Sequence, residues 1–182
     1  MVDSFRQVAL LRGINVGRAK RVGMAQLREL LRGLGYTDVT TYLQSGNAIF
    51  TSPPGAAGIA AGDIELALDR NLGVEAKVIV RSRADLATIV AADPLLDVAT
   101  DPSKHFVAFL AGDPDPAGVR TVACFDFAPD QVRLVGREAH LWCPSGFLAS
   151  PLSKVPWDKL LGVSVTMRNW NTVTKLLALS GT

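Results

Sequence analysis

Cysteine and histidine are both scarce in this 182-residue chain, with two of each. Cys124 and Cys143 have no CxxC spacing and no two histidines lie close in sequence, so neither a disulfide framework nor a metal site is expected. The cysteines read as two reduced cytosolic thiols. Long apolar runs are missing too. Val8 to Leu11 is cut off at once by Arg12, too short for a signal peptide, and nothing approaches the ~20 apolar residues of a membrane-spanning helix. Charge of one sign is also lacking. A net charge of +2 with 20% charged residues excludes polyelectrolyte character. Aromatic residues interleaved with basic ones are absent from the N-terminal strands, where Tyr42 and Phe50 alone qualify, so stacking on single-stranded bases has little to work with. There is no Walker A Gly-Lys-Ser/Thr, no GxGxxG, no nucleophile elbow at Ser145-Gly146 and no Ser-His-Asp set. No cofactor is implied. His105 and His140 fall in apparent strands and read as structural or edge residues rather than general bases. Asp113, Asp115, Asp126 and Asp130 lie among prolines and read as solvated turns rather than metal ligands. The expectation is a soluble, cytoplasmic, membrane-free protein.

What is present is a regular alternation of element types. Gln7 to Leu11 is a continuous apolar run, as in a buried central strand. Met24, Leu27, Leu30, Leu31 and Leu34 recur at helical spacing, with Gly35 as the expected C-cap. Thr40 to Leu43 and Ala48 to Thr51 flank Ser45-Gly46-Asn47, a hairpin signature. A helix over Ile64 to Leu72 and a strand over Ala76 to Val80 follow, giving the order β-α-β-β-α-β of the split βαβ plan. After a helix from about Arg83 to Ala92, the theme repeats. Lys104 to Leu110 is a strand, and a short helix starts at Asp113-Pro114-Asp115-Pro116. Gln131 to Val135 and Ala139 to Trp142 are strands. Leu148 to Leu161 is partly helical, with Pro156 at a first turn or a break. Val163 to Val165 closes the second round, and a final helix covers 170–180. The fold class expected is therefore α+β: two ferredoxin-like (β-α-β-β-α-β) modules in tandem plus a C-terminal helix, without a visible sequence repeat. The division expected is a first module over 1–82, a helical connector over 83–102 and a second module with the terminal helix over 103–182.

Three segments carry polar groups where a ligand would want them. The loop Arg12-Gly13-Ile14-Asn15-Val16-Gly17, with its tail Arg18-Ala19-Lys20-Arg21, joins a buried strand to a helix, the placement of phosphate-cradling loops. Residues 1–40 hold seven basic side chains against three acidic ones, which points weakly to an anionic partner. Gln44-Ser45-Gly46-Asn47 offers a hydroxyl and amides, and also has the residues a reverse turn requires. Near the end, Thr166 to Lys175 is polar yet leads from a β-rich run into an apolar helix. Arg168, Asn169, Asn171, Thr172 and Thr174 exceed what one helix cap needs, although Asn169 or Asn171 capping with Trp170, Val173 and Leu177 packed inward is the plain structural alternative. The ligand-binding set expected is Arg12, Asn15, Arg18, Lys20, Arg21, Ser45, Asn47, Arg168, Asn169, Asn171 and Thr172, with no metal ligand and no assigned catalytic residue.

Leu10 to Gly17, Tyr42 to Asn47 and Thr166 to Leu176 together resemble the bacterial family known as domain of unknown function 1697 (DUF1697), and the likeness runs from the first strand to the last helix. The family usually has proline or lysine before the methionine that opens the first helix, where this chain has Gly23 before Met24. The resemblance implies an α+β fold and brings no established activity. Three functions stay open. The first is binding of a phosphorylated or anionic ligand, a nucleotide, phosphate or nucleic acid, in a cleft between the modules. The second is a small-molecule enzyme using the same polar groups without a triad or metal. The third is a homodimerising interaction protein whose polar motifs serve as caps.

Overall fold

The computed structural model describes residues 5–15, 21–56 and 58–181. The chain divides into two compact units, Met1–Thr88 with Leu176–Thr182, and Ile89–Lys175. Each is α+β, built on one four-stranded antiparallel sheet.

The first unit contains β1 (Arg6–Arg12), α1 (Met24–Gly33), β2 (Thr37–Tyr42), β3 (Asn47–Thr51), α2 (Ala60–Leu72), β4 (Lys77–Ser82) and the start of α3 (Arg83–Ala91), with strand order β2-β3-β1-β4. Side chains alternate across a strand. Ala9 and Leu11 of β1, Ala48 and Phe50 of β3 and Val78 of β4 join Leu27 and Leu31 of α1 and Ile64 and Leu68 of α2 in one core. Val8, Leu10, Ile49 and Ile79 point to the other face and are buried as well. Burial on both faces is why β1 reads as an unbroken apolar run. Tyr36 tilts against Phe50 at 4.6 Å, and that burial raises the phenol's pKa, with Asp63 adding to the shift. The expected C-cap moves back one residue: Leu34 caps α1, while Gly35 follows with φ +87°.

The second unit contains β5 (His105–Leu110), α4 (Pro116–Ala123), β6 (Gln131–Val135), β7 (Glu138–Trp142), two 3-10 turns (Phe147–Ala149 and Pro151–Lys154), α5 (Trp157–Leu161), β8 (Val165–Asn169) and the start of α6 (Trp170–Leu179). Its strand order is β6-β7-β5-β8. Ala108 and Leu110, Ala139 and Leu141, and Val165 form a core with Val122 of α4 and Trp157 and Leu161 of α5. Asp115 caps α4 by accepting from the Ala117 N–H, with Pro116 at its first position. Pro156 is the residue before α5 rather than inside it.

The two sheets correspond position by position. Val8 pairs with Arg81 and Gln7 with Ser82 in the first; Val107 pairs with Arg168 and Phe106 with Asn169 in the second. In both, the strand passes directly into a helix, and the residue after the buried arginine caps it. Ser82 Oγ accepts from Asp85 N, and Asn169 Oδ1 accepts from Thr172 N, each at 3.0 Å. This shared junction is a structural repeat without a sequence one.

Candidate functional sites

In the first unit, the loop after β1 and the β2–β3 turn are locked together. Asn15 sits in the left-handed region (φ +57°), where asparagine is tolerated better than most residues. Its Nδ2 donates to Val22 O at 2.9 Å and to Gln44 O at 2.7 Å, and its Oδ1 accepts from Val22 N at 2.9 Å. Leu11 N donates to Gly46 O at 2.8 Å. Gly46 has φ +81°, and a Cβ there would come within 2.6–2.9 Å of Ile14 and Leu11 side-chain atoms, so only glycine fits. Asn47, fully buried, donates from Nδ2 to Tyr42 O at 2.8 Å and Ser45 Oγ at 3.1 Å. Two segments separated by thirty-odd residues thus form one rigid rim. Arg12 closes β1 beside it, Ser45 is exposed on it, and exposed Arg21 lies between it and α1. Arg18 and Lys20 lie outside the described residues. Helix α1 begins at Gly23, which has no side chain to cap it, and its first turn has no acidic residue. The amides of Asn15 and Asn47 are committed to holding the rim.

The C-terminal junction differs from its expected form. Strand β8 runs on to Asn169, four residues past Val165, so Arg168 is a strand residue rather than part of a helix start. Its side chain is buried, with Nη1 donating to Met167 O at 2.8 Å and Thr166 Oγ1 at 3.0 Å, and burial lowers the guanidinium to about 10. It remains a cation at neutral pH. Asn169 caps α6, accepting from Thr172 N at 3.0 Å and Thr172 Oγ1 at 2.7 Å. Thr174 Oγ1 donates back to Trp170 O at 2.9 Å, and Asn171 is exposed. Of the predicted ligand set, Arg12, Asn15, Arg21, Ser45 and Asn47 belong to the first unit, and Arg168, Asn169, Asn171 and Thr172 to the second.

A third cluster, in the second unit, escaped the sequence reading. His105 pairs with Trp142 and Val107 with His140, so the two histidines are diagonal neighbours on one face of the sheet, opposite to Ala108 and Leu110. Both strands are central, not edges. His105 Nε2 lies 3.6 Å and His140 Nδ1 3.3 Å from Asp93 Oδ1, and neither nitrogen has a hydrogen-bond partner although both are buried. Leu95 N donates to the same Asp93 oxygen at 3.0 Å, holding the carboxylate in place. Trp170 stacks on His105 at 4.4 Å with 17° between the planes. Burial pushes His140 down to about 4, with the Asp93 carboxylate opposing and His105 adding to the shift; burial lowers His105 too, again against Asp93. Both imidazoles are therefore neutral at pH 7. The argument against a metal site, that no two histidines are close, holds along the chain and fails across β5 and β7.

One further reading is corrected. Asp130 is not a solvated turn residue: it is buried and accepts from the Ser150 hydroxyl, while Asp115 and Asp126 accept from backbone N–H groups of their own turns. Both cysteines are free thiols, Cys124 exposed and Cys143 buried. A depression of about 640 Å³ opens between α4 and β6, lined by Val119, Phe125, Phe127 and Arg133 among others.

Comparison with known proteins supports the fold throughout and the family over most of the chain. The solved structure of the conserved bacterial protein SP0830 from Streptococcus pneumoniae is similar with a TM-score of 0.76 at 25% identity, covering 96% of this chain and 98% of that one. No curated protein matches. The family model described as "protein of unknown function (DUF1697)" matches residues 5–140, a span that takes in the interlocked loops and both histidines and stops before β8. No helix among the described residues is long and apolar enough to cross a membrane. On the strength of that match, the chain belongs to the DUF1697 family.

Proposed function

We propose that this is a cytoplasmic bacterial protein, built on two ferredoxin-like modules, that binds a phosphorylated or otherwise anionic ligand, a nucleotide or a nucleic acid, at the interlocked rim of its first module. The observation that carries this reading is the start of α1 beside the pinned loop, where no N-cap side chain accepts from the first-turn N–H groups. Gly23 supplies no side-chain acceptor, Gly23 N turns instead to Gln26 Oε1 at 3.1 Å, and no acidic residue stands in the first turn. A helix start left open in this way attracts anions, and Arg12, Arg18, Lys20 and Arg21 in the connecting segment add positive charge. Ser45 adds a hydroxyl from the facing turn. Asn15 and Asn47 act by holding the loops, and a ligand meets what they position. Of the junction Arg168, Asn169, Asn171 and Thr172, only exposed Asn171 is offered to a ligand, since Arg168 is buried on its own strand and Asn169 and Thr172 hold the start of α6.

Thermal-shift screening of nucleotides and sugar phosphates tests the proposal, since a ligand that binds only the folded state raises its stability. A gel-shift titration against salt separates nucleic acid from small ligands, because phosphate contacts weaken steeply as salt rises. The shift is expected to shrink in Arg12→Ala and Arg21→Ala. Full-sized shifts in both variants, or none with any anion, would refute the assignment.

A further inference from the structure

We propose that Asp93, His105 and His140 form a binding site for a divalent transition-metal ion of the zinc class, held by Asp93 Oδ1, His105 Nε2 and His140 Nδ1. The first argument is spacing. Ligands about 2.0–2.1 Å from a tetrahedral zinc ion are about 3.3 Å from one another. The two nitrogen-to-carboxylate distances are 3.3 and 3.6 Å, and all three atoms lie within 4.8 Å of one another. Only the histidine–histidine separation has to close, by a small rotation of side chains already seated on adjacent strands.

The second argument is the lone pairs. A buried nitrogen with no hydrogen-bond partner is costly, and most such groups in proteins are satisfied. Here two occur together, on different strands, aimed at one carboxylate oxygen. His105 and His140 are almost wholly buried, and burial keeps both rings neutral, the form that offers an electron pair to a metal. Asp93 Oδ1 already accepts from Leu95 N, so the one lone pair it has left could serve one ring nitrogen but not both. An ion satisfies both. Imidazole with one carboxylate suits first-row transition ions rather than Mg²⁺ or Ca²⁺, which take all-oxygen shells.

The surroundings act as supports. The Leu95 N–H orients the carboxylate, and the Trp170 ring stacked on His105 fixes the plane of that imidazole. With three protein ligands, the ion keeps one position for water or a small donor. Trp170 also stands 6.2 Å from His140, ring to ring, so it forms a wall of the site.

The experiment exploits the histidine count. The chain has only two histidines, so a metal bound through imidazole must use both or either of these. The full chain, with any purification tag removed and stripped with chelator, is titrated with Co²⁺ while d–d absorption is followed, and Zn²⁺ is then added to displace it. The expected result is saturation at one ion per chain, with Zn²⁺ shifting the ring resonances of His105 and His140 in NMR spectra of the unaltered protein. Asp93→Asn, which keeps the side-chain volume, is expected to weaken Co²⁺ binding by about tenfold or more, the scale on which disturbed metal shells lose affinity. Unmoved histidine resonances would overturn the proposal, and so would a thiolate charge-transfer band pointing to Cys124 or an affinity that Asp93→Asn leaves intact. The resonances of the unaltered chain decide the matter even if a variant fails to fold.

Discussion

Replacing Gly118 with alanine sets two effects of opposite sign against each other, and the structure says which wins. Gly118 is the third residue of α4, and alanine in a helix is ordinarily better than glycine by roughly 0.5–1 kcal/mol. A Cβ at this position, however, would sit 1.9 Å from the backbone oxygen of Leu160 and 2.9 Å from its carbonyl carbon. Ordinary contact begins near 3.4 Å, so α4 and α5 would have to part by about 1.5 Å. The obstacle is main chain, and no rotamer relieves it. That movement opens the contact between Val122 and Leu161 and strains the 2.9 Å bond from Asp115 N to Leu161 O. Overpacking of this kind costs ~1–3 kcal/mol even where flexible side chains absorb part of it. The upper end applies here, which leaves a net loss of about 2 kcal/mol after the helical gain. Gly62 is the control, like Gly118 the third residue of its helix but with nothing within 4 Å of its Cβ, and Gly62→Ala is expected to stabilise by up to ~0.5–1 kcal/mol. Urea unfolding followed by circular dichroism reads both: at slopes of ~1–3 kcal/mol per molar, Gly118→Ala should lower the midpoint by about 1 M and Gly62→Ala should raise it. A Gly118→Ala protein at least as stable as the parent would refute the close packing of α4 on α5.

Other positions give equally direct tests. Asn15→Ala deletes three side-chain hydrogen bonds, each worth ~1 kcal/mol net, so a loss of about 3 kcal/mol by thermal or urea unfolding is expected, with Asn15→Asp recovering only part of it. Asn169→Ala removes the acceptor at the start of α6 and should cost about 1 kcal/mol, while Asn169→Ser should cost much less. The metal-free protein should lose stability as acid is added. The folded-state pKa values of His105 and His140 lie below the ordinary 6.5, His140's at about 4, so the unfolded chain takes up protons first and stability falls as the pH drops below 6.5. The slope is about 1.4 kcal/mol per pH unit for each ring that stays neutral, and a flat unfolding midpoint between pH 7 and 5 would contradict it.

The features legible in the sequence were those set by nearest neighbours along the chain. Leu27, Leu30 and Leu31 repeat at the helical period, and α1 follows from that alone. Ser45-Gly46-Asn47 carried its turn chemistry openly, and the hairpin of β2 and β3 is where those residues place it. The extent of β8 was hidden for the opposite reason. Thr166, Arg168 and Asn169 are polar, and polar residues after an apolar strand read as a loop. Yet a strand that pairs with buried β5 can bury an arginine if that side chain bonds back to its own sheet, as Arg168 does to Met167 O and Thr166 Oγ1. The corresponding position in the first sheet, Arg81, is buried too and donates to Val80 O at 3.1 Å. Knowledge of that repeat would have identified both, but it lives in strand register and leaves no trace in residue identity. The histidine cluster is the extreme case. His105 and His140 are 35 positions apart, and only the order β6-β7-β5-β8 makes them neighbours. Only the pairing of His105 with Trp142 and of Val107 with His140 puts them on the same face, since a slip of one residue would send one ring to the opposite side. Asp93 reaches them from the segment between α3 and β5. Scarcity, which argued against a metal site, acquires the reverse meaning once the register is known: a chain with two histidines has put both against one carboxylate.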